Sequence, residues 1–171
     1  IMARFDEITP FTIGTYEVDI HVRYLLDELK SYDQDYILEL NPDFQRGNVW
    51  TEEQQIAYLE FFFKGGRSAR VIYFNIGEWS LDPNTDIPHM VCVDGLQRLT
   101  AFIRFLNNEI PVFGAYYREY EDKLRDTIKF NINNLAYKKD VLKWYLEMNS
   151  GGTVHSDSEL NRVREMIKEY E

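Results

Sequence analysis

Cysteine is almost missing from this chain. Cys92 stands alone, so no internal disulfide can form, and a reducing compartment, the cytoplasm, is the simplest setting. Histidine is nearly as scarce. His21, His89 and His155 show no i, i+4 pairing and have no cysteine partners, which leaves no zinc-ligand pattern. No apolar run approaches membrane-spanning length and nothing resembles a signal peptide, so no membrane partner is expected. Basic residues are outnumbered, 19 Lys and Arg against 29 Asp and Glu, for a formal charge of −10. Such a surface repels phosphate backbones at long range. Strong DNA binding by the isolated chain is not expected, although a local basic pocket remains compatible with it. The acidity can instead serve solubility, a basic partner or DNA mimicry. Repeats and low-complexity tracts are absent. Neither G-x-x-x-x-G-K-[ST] nor G-x-G-x-x-G occurs, no G-x-S-x-G elbow is present, and no His-Asn-His-like or paired-carboxylate nuclease motif stands out.

What is present is globular. Of 171 residues, 44% are hydrophobic and 15% aromatic, enough for one domain with a full core across 1–171. Alternation over 16–20 predicts a strand, and Val22, Leu25, Leu26 and Leu29 predict a helix over 21–32. Residues 41–50 read as a loop. Thr51 with Gln54 forms a capping box that opens a helix ending at Gly65-Gly66. Strands are expected over 70–76 and 89–93, with a long loop over 77–88 between them. A helix over 96–108 follows, then short strands over 111–116 and 126–132. Helices over 138–149 and from the Ser156/Glu159 capping box complete the chain. Short strands mixed with helices, without regular βαβ repetition, favour an α+β fold with a small mixed sheet.

Three stretches could carry chemistry. In Asp94-Gly95-Leu96-Gln97-Arg98 an apolar run stops at an Asp-Gly turn. Asp94 as N-cap, Gln97 as its capping-box partner and Gly95 as the turn explain most of it structurally. Arg98 is unexplained: a cation in the first helical turn meets the positive end of the dipole, a misfit of about 0.3–1 kcal/mol. An anion at the helix N-terminus would resolve it, since free N–H groups and a guanidinium together grip phosphate. The second stretch, residues 41–50, carries Gln45 and Arg46 between Phe44 and Trp50. It is either a loop pinned by its aromatics or a rigid mount for those two polar side chains. The third, Met148-Asn149-Ser150-Gly151-Gly152-Thr153, is a glycine helix stop or an anion nest. Cys92, inside a strand, reads as a core residue.

Taken in order, F44-Q45-R46-x-x-V49-W50, D94-G95-x-Q97-R98-L99-T100 and M148-N149-S150-G151-G152-T153 with S156-x-x-E159-L160 resemble the N-terminal family of GmrSD-type restriction endonucleases. This GmrS-like family was long catalogued as a domain of unknown function and belongs to the ParB/sulfiredoxin-like superfamily. The resemblance spans about residues 16–167 by its motif positions. It implies a ParB/sulfiredoxin-like fold with a nucleotide pocket, in which a D-G-Q-Q-R segment opening a helix is tied to NTP binding and hydrolysis. Asp94, Gly95, Gln97 and Arg98 match that segment, while Leu96 stands where the family usually has Gln. The same place is a cysteine in sulfiredoxins, so sulfiredoxin activity is not expected. No His-Asn-His nuclease domain accompanies the motifs, so the chain is expected to be the NTP-responding module of a bacterial defence or phage counter-defence system, with a protein partner carrying the nuclease.

On that resemblance Asp94, Gln97 and Arg98 are the candidate catalytic residues, with Asp94 also the candidate Mg²⁺ ligand. Gln45, Arg46, Gly95, Thr100, Asn149, Gly151 and Gly152 are the candidate nucleotide- and phosphate-binding residues. Gln45, Gln97 and Asn149 are expected to fix phosphates or position water, and aromatics of the first loop to wall the base. The alternative is a catalytically silent acidic protein that binds a basic or DNA-binding partner.

Overall fold

The computed structural model describes residues 3–9, 15–45, 49–150 and 157–171. Five strands form one mixed sheet in the order β1-β5-β3-β4-β2: β1 Thr15–His21, β2 Leu38–Glu39, β3 Val71–Ile76, β4 Met90–Asp94 and β5 Thr127–Asn133. β1 runs antiparallel to β5, β5 parallel to β3, β3 antiparallel to β4, and β4 parallel to the two-residue β2. The five helices are α1 Leu25–Tyr36, α2 Glu52–Phe63, α3 Leu96–Leu106, α4 Lys138–Ser150 and α5 Asp157–Lys168. The α+β expectation holds.

The strands of the centre are buried on both faces, and their side chains divide two cores. Met90 and Cys92 of β4 join Ile72, Phe74 and Ile76 of β3 and Ile128, Phe130 and Ile132 of β5 under α1, α2 and α3. Val91 and Val93, pointing the other way as the period of two requires, pack with Phe44 and with Val141, Leu142, Tyr145, Val163 and Ile167 of α4 and α5. β4 therefore ends between two helical layers, and the turn that follows it opens at the edge of both.

Several local expectations shift. His21 closes β1, residues Val22–Tyr24 form a 3-10 turn, and α1 runs on to Tyr36. Val22 N–H bonds Asp126 O at 3.0 Å, which keeps the chain on the sheet one turn longer than the leucine spacing suggests. Residues 111–116 form only an isolated bridge, Val112 with Ala115, around a tight turn. The Thr51/Gln54 capping box forms as expected. α2 stops in a Schellman arrangement, with Gly66 N–H on Phe61 O and Gly65 N–H on Phe62 O, both 3.0 Å. The predicted cap Ser156 lies outside the described residues.

Candidate functional site

The site grows from the turn between β4 and α3. Gly95 takes φ +102°, a left-handed conformation that side-chain-bearing residues avoid. A Cβ there would also sit 2.8 Å from Ile72 Cδ1 and 3.2 Å from an Arg98 guanidinium nitrogen. Gly95, not Asp94, is the N-cap of α3, and it carries no side chain that could cap the helix. This corrects the capping-box reading. With the chain swung through positive φ, the Asp94 carboxylate meets Arg98 one turn ahead, Oδ2 to guanidinium nitrogen at 3.2 Å. Gln97 turns to the neighbouring loop instead, where its Oε1 accepts the Val49 and Trp50 N–H groups, each at 3.0 Å. The first turn of α3 thus has no cap from its own N-cap residue, while Gln97 ties Val49 and Trp50 beside it.

Arg98 is less of an anomaly than its position suggests, because Asp94 neutralises it in part. Its side chain is only 18% exposed, yet Asp94 is the one group it bonds among the described residues. A guanidinium offers five N–H donors. Most of them therefore remain available to a ligand.

A cleft of about 420 Å³ opens here. It brings together six of the sequence-predicted residues: Gln45, Asp94, Gly95, Gln97, Arg98 and Asn149. Their nearest approach in sequence is within one motif, and their farthest spans the chain from the first loop to the end of α4. Thr100 is not among the lining residues. Its hydroxyl donates to Leu96 O at 2.7 Å within α3, a local bond that helical threonines often make. Arg46, Gly151 and Gly152 lie outside the described residues. Leu96 lines the cleft with its backbone neighbourhood but is 7% exposed and packs in the larger core.

Three wall residues escaped the sequence reading. Tyr58 of α2 and Ser68 and Ala69 of the following loop line the cleft beside Trp50. The Trp50 and Tyr58 rings lie 5.5 Å apart at 52°. The Tyr58 hydroxyl donates to Ala69 O at 2.6 Å, and burial pushes its pKa up to about 12 against the opposing pull of Arg98 and Arg70. Tyr58 sits in an aromatic-rich helix, and no spacing distinguishes the ring that reaches a cleft from those that fill a core.

The chemistry of the cleft is mixed. Arg98 and the N-terminal turn of α3 supply positive potential. Gln45, Asp94 and Asn149 supply oxygen acceptors. Gln45 donates from Nε2 to Cys92 O at 2.8 Å and Val93 O at 2.9 Å, and Asn149 donates from Nδ2 to Tyr145 O at 2.7 Å. Among the described residues there is no cluster of three or more His, Cys, Asp or Glu that could hold a metal. Among the described residues Asp94 is the only carboxylate lining the cleft, and it is already paired with Arg98. A guanidinium 3.2 Å from Oδ2 opposes a dication on that carboxylate, so Asp94 alone does not fit as a resident Mg²⁺ ligand. Cys92 is fully buried and its thiol is pushed up by that burial, in keeping with a core residue.

A second cleft, about 450 Å³, lies toward the other end of α3 between Phe63, Phe105, Phe113, Tyr117 and Tyr120. No sequence-predicted site residue lines it. No helix among the described residues is long and apolar enough to cross a membrane.

Comparison with known proteins adds one match. The family model described as "GmrSD restriction endonuclease, N-terminal domain" matches residues 25–169. No curated protein and no solved structure matches the chain. The match covers both halves of the cleft, from the first loop to the end of α4. The chain belongs to the GmrSD restriction endonuclease N-terminal domain family, which makes it a module of a restriction or defence system.

Proposed function

We propose that the cleft at the start of α3 binds the phosphates of a nucleoside triphosphate, and that the module hydrolyses it. The observation that carries this reading is Arg98: a mostly buried guanidinium with one partner among the described residues, set in the first turn of a helix whose N-cap, Gly95, has no side chain to cap it. Helix N-termini present N–H groups and positive potential to anions, and a guanidinium adds two parallel charge-assisted bonds to a phosphate. Gly95 lets the backbone approach closely because it carries no Cβ. Trp50 and Tyr58 give the base a ring surface on which to stack.

In this reading Arg98 neutralises the charge that grows on the phosphoryl oxygens as the terminal bond breaks. Asp94 orients Arg98 by pairing with it. Gln97 acts on the loop, holding Val49 and Trp50 in place through their N–H groups, rather than on the nucleotide's phosphorus. Any Mg²⁺ travels with the nucleotide, bound by its phosphates. The nucleotide state of this module gates the nuclease of the same defence system.

Calorimetry with each nucleoside triphosphate and Mg²⁺, followed by phosphate-release measurements, tests the reading. Binding with release supports it. Binding without release leaves a nucleotide sensor. Absence of binding would leave the acidic interaction module that the charge of −10 also allows.

A further inference from the structure

The Gln45 side chain is oriented by the protein, and its orientation decides what it can touch. It sits on a turn in which Gln45 N–H bonds Pro42 O at 2.9 Å and Phe44 is fully buried. Arg162 of α5 donates to Asp43 O at 2.9 Å and Phe44 O at 3.0 Å, and the Lys138 ammonium meets the Asp43 carboxylate at 2.6 Å. The mount is therefore fixed to α4, α5 and the smaller core. Both Nε2 hydrogens go to the last carbonyls of β4, Cys92 O and Val93 O. Flipping the amide would set its oxygen against those two carbonyl oxygens, so the orientation is forced. The group left for the cleft is Oε1, which has no partner among the described residues.

That oxygen only accepts hydrogen bonds, and so does a phosphate. Of the two roles expected of Gln45 from sequence, fixing phosphates or positioning water, its oxygen is unsuited to the direct phosphate contact. The Asp94 carboxylate, one residue beyond the carbonyls that anchor Gln45, has the same limitation. Two acceptors beside a phosphate site need a donor between them and the phosphate. A cation is disfavoured by the Arg98 guanidinium on Asp94. Water, with two donors, meets the requirement and leaves a lone pair aimed at phosphorus.

We propose that Gln45 Oε1, with the Asp94 carboxylate, holds the water that attacks the terminal phosphorus; this rests on the nucleotide reading above. The water oxygen forms the new P–O bond. The bond from phosphorus to the bridging oxygen breaks, and the nucleoside diphosphate leaves with that electron pair. One water proton stays on the released phosphate and the other passes to solvent. Gln45 orients the water and takes no proton.

Two variants of the full chain test this. Gln45→Lys keeps a donor for Cys92 O and Val93 O but removes the acceptor. Gln45→Met removes both at similar size. The probes are the β,γ-imido analogues of the four nucleoside triphosphates for binding, and the triphosphates themselves for phosphate release. Both variants are expected to bind the analogue within about threefold of wild type, Gln45→Lys more tightly if anything, and to lose about a hundredfold or more in turnover. If Gln45→Met fails to fold, Gln45→Lys decides. Wild-type turnover in Gln45→Lys overturns the proposal, as does loss of analogue binding in parallel with turnover. A wild-type protein that binds triphosphate but releases no phosphate overturns this proposal and the hydrolysis half of the reading above, and leaves its phosphate-binding half standing. One that binds no nucleotide overturns the nucleotide reading and this proposal with it.

Discussion

Replacing Arg98 with Ala separates a ligand-binding guanidinium from a structural one. In the free protein Arg98 makes one ion pair, to Asp94 at 3.2 Å, with the two side chains 18% and 33% exposed. A pair of that kind contributes about 0.5–1 kcal/mol. Against it stands the misfit of a cation at a helix N-terminus, about 0.3–1 kcal/mol. The two nearly cancel, so R98A should shift free-protein stability by less than about 1 kcal/mol, or about 2–4 °C in Tm for a chain of this size. The effect on the liganded state is much larger. Two charge-assisted bonds to phosphate at about 1.5–3 kcal/mol each amount to about 3–6 kcal/mol, a loss of more than a hundredfold in affinity. At a ligand concentration of about 100 Kd the wild type gains about 2.7 kcal/mol from binding, and R98A at the same concentration gains almost nothing. Thermal melts with and without triphosphate and Mg²⁺ read both quantities in one experiment. A drop of about 8 °C or more without ligand would mean that Arg98 chiefly supports the fold. An unchanged ligand-induced shift would mean that no phosphate reaches it.

Three further outcomes follow from the same geometry. G95A should cost about 2–4 kcal/mol in urea unfolding, because its φ of +102° and the 2.8 Å approach to Ile72 both act against a Cβ; near-neutral behaviour would mean that the turn is not built this way. Q97A removes the acceptor for Val49 and Trp50 N–H, so hydrogen exchange at those two amides should quicken while the cores stay protected, and unchanged exchange would count against the tie. The folded-state phenols of Tyr58 and Tyr32 are raised to about 12, chiefly by burial, and the unfolded chain ionises near 10. Their contribution is complete below about pH 10 and is lost as pH climbs toward 12, since the unfolded state releases protons first. Tm should fall across that window, and Y58F should flatten the fall; a flat Tm from pH 9.5 to 11.5 would contradict this burial.

Much of the fold was legible because local chemistry decided it. The Thr51/Gln54 box, the Gly65-Gly66 stop and the amphipathic face of α3 are signals within one turn of helix, and each formed where expected. β2 was invisible because two residues carry no period; parallel pairing with β4 makes it a strand. The 111–116 segment had β-type residues, but the turn at Phe113 and Gly114 leaves room for one bridge only. In the site, Gln45, Asp94, Gly95, Gln97, Arg98 and Asn149 assembled, and their roles were harder to read. Asp94 followed by Gln97 has the spacing of a capping box, yet Gly95 moves the cap by one residue and frees both side chains for other partners. Gln45 and Tyr58 depend on contacts with residues 47 and 11 positions away, which no spacing rule encodes. Thr100 shares the motif but faces its own helix.

The central claim is that the α3 N-terminus takes the phosphates. Titrating the ¹⁵N-labelled chain with nucleoside triphosphate and Mg²⁺, and following its amide and indole resonances, tests it most directly. The account predicts the largest shifts at the amides of Gly95, Leu96, Gln97 and Arg98, with the Trp50 indole moving at the same ligand concentration. Shifts confined to Phe105, Phe113, Tyr117 and Tyr120 around the other cleft, or no shifts at millimolar nucleotide, would contradict it.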